Sequence, residues 1–130
     1  MKVSEYLINN YYSKTNRLDI IPTEQQIKQA MLNHPDKIMV IRDKGIKGLA
    51  WFLKLTDETY NRLHELDITR IDVLQALSLE NGDNLHFILV CGQGFKNIRV
   101  GIRRAKKLGA KTISWWNPSF TKLHRYICHQ

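Results

Sequence analysis

Cysteine is scarce in this chain: Cys91 and Cys128 are the only two. Their spacing excludes a metal knuckle and a disulfide framework, and Cys91, ending an apolar run, reads as a small buried residue. Acid is missing from a whole region. From Asn84 to Gln130 there is no aspartate or glutamate, while the same stretch holds Lys96, Arg99, Arg103, Arg104, Lys106, Lys107, Lys111, Lys122 and Arg125. The net charge of +8 comes almost wholly from that part. Such asymmetry points to a polyanionic partner, whether nucleic acid, an anionic surface or a phosphorylated cofactor, with a solvated basic helix face as the other reading. No apolar run approaches membrane-spanning length, and Met1–Asn10 lacks the apolar core of a signal peptide, so the cytoplasm is the expected compartment and no membrane partner is expected. No repeat, low-complexity tract or linker divides residues 1–130, which read as a single domain. The 5 histidines form no His-x-x-x-His pair, there is no Cys-x-x-Cys, and His124 with Cys128 is the one helical-turn spacing, so no metal is expected. Helix-turn-helix, RNP-like and zinc-finger patterns are lacking too.

What is present is a strand–turn–helix signature. Leu85–Cys91 is apolar, Gly92-Gln93-Gly94 is a glycine-bracketed turn, and a basic helix is predicted over Lys96–Leu108. A strand turning through glycines into a helix aims free backbone N–H groups at the space above the turn, and the helix dipole favours an anion there. On the helical wheel Phe95, Ile98, Gly101, Ile102 and Ala105 share one face, with Leu108 at its edge; Arg99, Arg103, Lys106 and Lys107 spread over the other. Gly101 costs roughly 1 kcal/mol against alanine in a helix, which suggests close packing on a sheet. The turn is not a P-loop, because no Gly-Lys-Ser/Thr follows, and Asn97 stands where a dinucleotide fingerprint has its third glycine.

Elsewhere the signals are local. A helix is predicted over Val3–Ser13. Thr23-Glu-Gln-Gln26 matches a capping box that opens a helix to about Asn33, with Ile27, Ala30 and Met31 inward and Pro35 as its stop. Lys37–Arg42, Asp43-Lys-Gly45 and Ile46–Leu55 read as a hairpin, with Gly48 marking a bulge or a close approach. Thr56 caps a helix over Asp57–Leu66 with Tyr60, Leu63 and Leu66 inward, and Ile71–Leu79 reads as another. Gly109 ends the basic helix. Lys111–Trp116 is a strand, Asn117-Pro118 breaks it, and a last short helix is expected over Ser119–Tyr126. The fold class is α/β (α+β): a mixed, mostly antiparallel central sheet flanked by helices.

This order of elements resembles the GNAT superfamily of acyl-CoA-dependent N-acyltransferases, and the resemblance covers most of the chain. The hairpin would be Lys37–Leu55, the central strand Leu85–Cys91, the pyrophosphate loop Gly92–Asn97, its helix Lys96–Leu108 and the next strand Lys111–Trp116. The family's loop carries glycines where Lys96 and Ile98 stand, counting from Gln93. More loosely, Gly48–Glu58 and Gly82–Ile88 resemble the toxin-activating lysine acyltransferase branch, whose strand carboxylate would fall at Leu89.

The resemblance implies acetyl-CoA or another acyl-CoA as co-substrate, held by Val90, Gly92, Gln93, Gly94, Lys96 and Asn97, with Arg99 or Arg103 on the outlying phosphate. It implies an amine-bearing acceptor, either a small molecule or a protein lysine. In direct transfer a base helps the amine lose its proton, a backbone N–H of the central strand holds the oxyanion, and an acid protonates the departing thiolate. His86 is the first candidate base and Asp83 the second; Tyr126 is the candidate acid, with His124 nearer the family's usual tyrosine position. The plainer readings are a histidine on a strand's solvent face, an Asn-Gly-Asp turn, and a tyrosine packed at the sheet edge. The alternative function is a non-catalytic basic module for nucleic acid or a protein partner. Trp115-Trp116 beside the basic helix suits base stacking, although successive strand residues face opposite sides, so at most one tryptophan is expected to be exposed.

Overall fold

The computed structural model describes residues 2–14, 23–63, 79–92, 98–116 and 122–128. Helix α1 spans Val3–Lys14 and α2 spans Glu24–Asn33. The capping box of α2 is formed: Thr23 Oγ1 accepts from the Gln26 N–H at 3.2 Å, and Gln26 Oε1 accepts from the Thr23 N–H at 2.9 Å. Ile27, Ala30 and Met31 are its buried residues, as their spacing dictates. Pro35 opens a 3-10 turn, Pro35–Lys37, so the first strand begins at Ile38 and Lys37 is buried in the turn before it.

Strands β1 (Ile38–Arg42) and β2 (Ile46–Leu55) form the antiparallel hairpin. Its register shifts after Ile41, with Gly48 opposite Ile41 and Ile46 opposite Arg42, which is the bulge that Gly48 announced. Helix α3 is short, Asp57–Asn61, with Thr56 as its N-cap. The expected extension to Leu66, the helix over 71–78, the loop Gln93–Asn97, Phe95 and Asn117-Pro118 lie outside the described residues. Strand β3 (Asn84–Cys91), helix α4 (Ile98–Lys107), strand β4 (Thr112–Trp116) and strand β5 (Leu123–Ile127) complete the order.

The strands form one sheet in the order β1-β2-β3-β4-β5. Only β3 and β4, joined through α4, are parallel; the other neighbours are antiparallel. Each face buries its own core. On one side Leu7, Ile27 and Met31 meet Leu49, Trp51, Leu53 and Leu55. On the other Ala105 of α4 meets Phe52, Leu85, Phe87 and Ile113. Gly101 is buried on the same helix. Strand β2 alternates strictly between the two cores, the period of a strand covered on both faces.

The last element corrects the sequence reading. Tyr126 lies on strand β5, antiparallel to β4, and not on a helix. Leu123 joins one core while Tyr126 and Cys128 pack against the other, and Arg125 lies over the Tyr60 ring at 5.3 Å. That is a period of two, which so short a segment does not distinguish from a helical one. The open edge of β4 decides the matter, because its N–H and C=O groups need a ladder partner.

Candidate functional site

The site is built around the end of a ladder. Asn84, Leu85, His86 and Phe87 pair with Thr112, Ile113, Ser114 and Trp115, and there the parallel pairing stops, while β3 continues to Cys91. Beyond Phe87 the β4 side of β3 has no strand partner among the described residues. The β2 side also changes at this point: Phe87 faces Phe52 and Leu89 faces Trp51, so Ile88 is one residue too many. This bulge puts Ile88 and Leu89 on the same face. The strand therefore kinks where its parallel neighbour leaves it.

At the tip of β3, Gly92 has φ +88°, open to glycine and strained for other residues. A Cβ there would overlap the Tyr6 hydroxyl, the Lys47 carbonyl at 2.6 Å and the Gly48 Cα at 2.7 Å. The two glycines thus let the hairpin and the turn after β3 touch, with Tyr6 of α1 closing the contact. Burial, with the nearby Cys91 adding to it, raises the Tyr6 phenol above its ordinary pKa. Sequence reasoning missed Tyr6 as a member of this corner, since nothing in α1 marks one core-facing tyrosine for a contact across the chain.

His86 is fully buried on the face covered by α1–α3 and sits beside Leu53 and Ser114. Its Nδ1 and the Ser114 Oγ are 2.8 Å apart, and Nε2 has no hydrogen-bond partner among the described residues. Desolvation lowers its pKa to about 3, so the ring is neutral at any ordinary pH. One rung away, Asn84 Nδ2 donates to the Leu55 carbonyl at 3.1 Å and to Asp57 Oδ1 at 2.9 Å, and Thr112 Oγ1 donates to Asn84 Oδ1 at 2.6 Å. Lys111 Nζ bonds the same Asp57 oxygen at 2.9 Å. The Asn84 and Lys111 contacts hold the Asp57 carboxyl below its usual range. These groups lock the paired end of the parallel strands, leaving the far end open.

No protein-family model matches the chain, and no curated protein matches it. Among solved structures it is similar to the GphF GNAT-like decarboxylase in complex with isobutyryl-CoA, with a TM-score of 0.55 and 13% sequence identity. The similarity covers 86% of this chain and 60% of that one, so the chain spans about three fifths of its structural neighbour. The fold is GNAT-like.

In this GNAT-like frame the sequence candidates separate. Val90 and Gly92 flank the open end of β3; Gln93, Gly94, Lys96 and Asn97 lie outside the described residues. Tyr126 pairs with Ile113, opposite Leu85, which is six residues and roughly 20 Å of strand from Cys91. It also packs in the core facing α4, on the opposite face of the sheet from His86. Its hydroxyl accepts from Lys106 Nζ at 3.0 Å, a bond that raises the lysine's pKa. Candidate base and candidate acid are thus not brought together. Asp83 is exposed at the opposite end of β3 from Gly92, its carbonyl accepting from the Lys111 N–H at 2.7 Å.

Arg99, Arg103, Arg104 and Lys107 are exposed along α4, the helix that follows the turn. Both tryptophans are half-buried: Trp115 stacks on His124 at 5.4 Å, and Trp116 packs against the other core. Among the described residues no group of three or more His, Cys, Asp and Glu comes together to hold a metal, and no helix is long and apolar enough to cross a membrane.

Proposed function

We propose that the chain binds an acyl-coenzyme A along the open end of β3 and transfers the acyl group to an amine. One observation carries the reading: among the described residues the β3–β4 ladder ends at Phe87–Trp115 while β3 runs on through a bulge to Gly92, with α4 the next described element. Backbone groups beyond Phe87 need partners, and the amides of an extended pantetheine arm are suited to supply them. Val90 then offers its backbone to the thioester. Gly92, Gln93, Gly94, Lys96 and Asn97 line the pyrophosphate, and Arg99 and Arg103 meet the outlying phosphate. The neighbour's isobutyryl-CoA supports this choice of ligand.

The coenzyme supplies an activated carbonyl. The amine nitrogen attacks it, a C–N bond forms, the C–S bond breaks, and the thiolate takes up a proton. His86 is assigned to ordering β3 against β4, because its complete burial keeps it from an acceptor amine. Tyr126 is assigned to pinning β5 on α4. Binding and transfer are therefore separable parts of the proposal, and a coenzyme-binding protein without turnover belongs to the same reading. The acceptor is a small amine or a protein lysine in the cytoplasm.

The runner-up is a non-catalytic module that binds nucleic acid through α4, favoured by Arg103, Arg104 and Lys107, which make no ion pair among the described residues. Calorimetric titration with acetyl-CoA, isobutyryl-CoA and a short DNA duplex at two salt concentrations separates the two. Saturable coenzyme binding that disappears in Gly94→Trp supports the proposal. DNA affinity that drops steeply with salt, with no coenzyme heat, rejects it.

A further inference from the structure

The other notable edge of this sheet is β1, which has β2 on one side and no strand on the other among the described residues. Edge strands are usually blunted by charge, proline or a central bulge. Ile38-Met39-Val40-Ile41 is blunted only at its end, by Arg42 and the register shift beside it. A groove runs along each face of this edge. One, of about 420 Å³, is lined by the apolar Val3, Met31, Leu32, Pro35, Ile38 and Val40, with Lys28 as its single charged residue. The other, also about 420 Å³, has Met39, Val100 and Leu108 below a rim of Arg103, Arg104 and Lys107. Leu32 is 77% exposed, and the three rim cations have no ion-pair partner among the described residues.

We propose that β1 is a docking edge for an extended segment of a partner protein whose side chains alternate between apolar and acidic. Main-chain pairing continues the sheet, and a strand's side chains point alternately to its two faces. Apolar residues then enter the Leu32 groove, and carboxylates meet the Arg104 rim on the opposite face. The two grooves differ in chemistry, and that difference specifies the alternation. A second copy of the chain is the poorer occupant. Antiparallel β1–β1 pairing in one continuous sheet would set both α4 helices side by side, cation against cation, in a chain of net charge +8. The proposal goes beyond coenzyme binding and does not rest on it: β1 lies two strands from the end of the β3–β4 ladder, and Arg103, the residue the two readings share, is not among the positions tested.

The test uses short fluorescein-labelled peptides alternating valine with glutamate, lysine or serine, titrated against the full chain by fluorescence anisotropy. The valine–glutamate peptide is expected to bind saturably and to weaken as salt rises. Binding should fall roughly tenfold in Arg104→Glu/Lys107→Glu, and similarly in Leu32→Asp, which blocks the opposite groove. All three positions are exposed, and circular dichroism checks that the variants fold. Backbone amide shifts on binding should centre on Ile38–Ile41. Equal affinity for the lysine peptide, no saturable binding, or amide shifts elsewhere would each overturn the proposal. So would displacement of the peptide by single-stranded DNA. Sedimentation showing a dimer that Leu32→Asp dissociates would give the edge to a second copy instead.

Discussion

His86 couples stability to pH because its ring is fully enclosed and its pKa lies near 3, against 6.5 for the ordinary side chain. The unfolded chain binds a proton between those values and the folded chain does not, so stability rises with pH across that window. Above pH 6.5 the residue carries no such penalty. Unfolding free energy should decline as pH falls from there, by at most about 1.4 kcal/mol per unit from this group. Urea titrations followed by tryptophan fluorescence should show a shallower acid slope in His86→Leu than in the parent; equal slopes would remove His86 as the cause. Gly92 is the second sensitive residue. Alanine there meets both a left-handed backbone and three contacts already at closest approach. The expected cost is on the order of 3 kcal/mol, read as a shift in the urea midpoint.

Short elements depend on their ends, and α3 illustrates this. Glu80 Oε1 accepts from the Thr56 N–H and from the Thr56 hydroxyl, both at 2.9 Å, and its Oε2 accepts from the Thr59 hydroxyl at 2.9 Å. A carboxylate from Glu80, four residues before β3, thus completes the N-terminus of a helix too short to stand alone. Glu80→Ala should cost about 1 kcal/mol, measured by thermal unfolding. Strand β5 is held to α4 by the Lys106–Tyr126 bond, so Tyr126→Phe should leave coenzyme affinity and any acyl transfer unchanged; a large loss of turnover alone would restore Tyr126 as an acid. How legible these elements were follows from how local their causes are. The Thr23 capping box, the Gly48 bulge, Thr56 and the Gly109 terminus are written in a few adjacent residues, and all four formed. Strand β5 was misread because its conformation is set by β4's open edge, which the segment itself does not encode. For the candidate site, the strand and the left-handed glycine at its tip were legible in Leu85–Gly92. Neither the burial of His86 nor the extra residue at Ile88 could be read from an apolar run, because both depend on register with β2 and β4.

At the scale of the molecule, a ligand seated where β4 leaves β3 would tie together the one parallel pair among the described strands. Saturating acyl-CoA should therefore raise the unfolding temperature, by an amount set by ligand concentration over Kd. Differential scanning fluorimetry reads this directly, and a midpoint indifferent to coenzyme would argue against the site. The arrangement of β3 has a further consequence. Leu85 and Phe87 belong to one core and Leu89 and Cys91 to the other, with Ile88 as the switch between them. Deleting that single codon would let Leu89 follow Phe87 in ordinary alternation, so Leu89 and Cys91 would still face α1 and Val90 would still face α4, and only the bulge would be lost. A descendant could thus shed Ile88 and keep both cores, whereas losing any other single residue of the outer half would leave the bulge in place and shorten the strand by one.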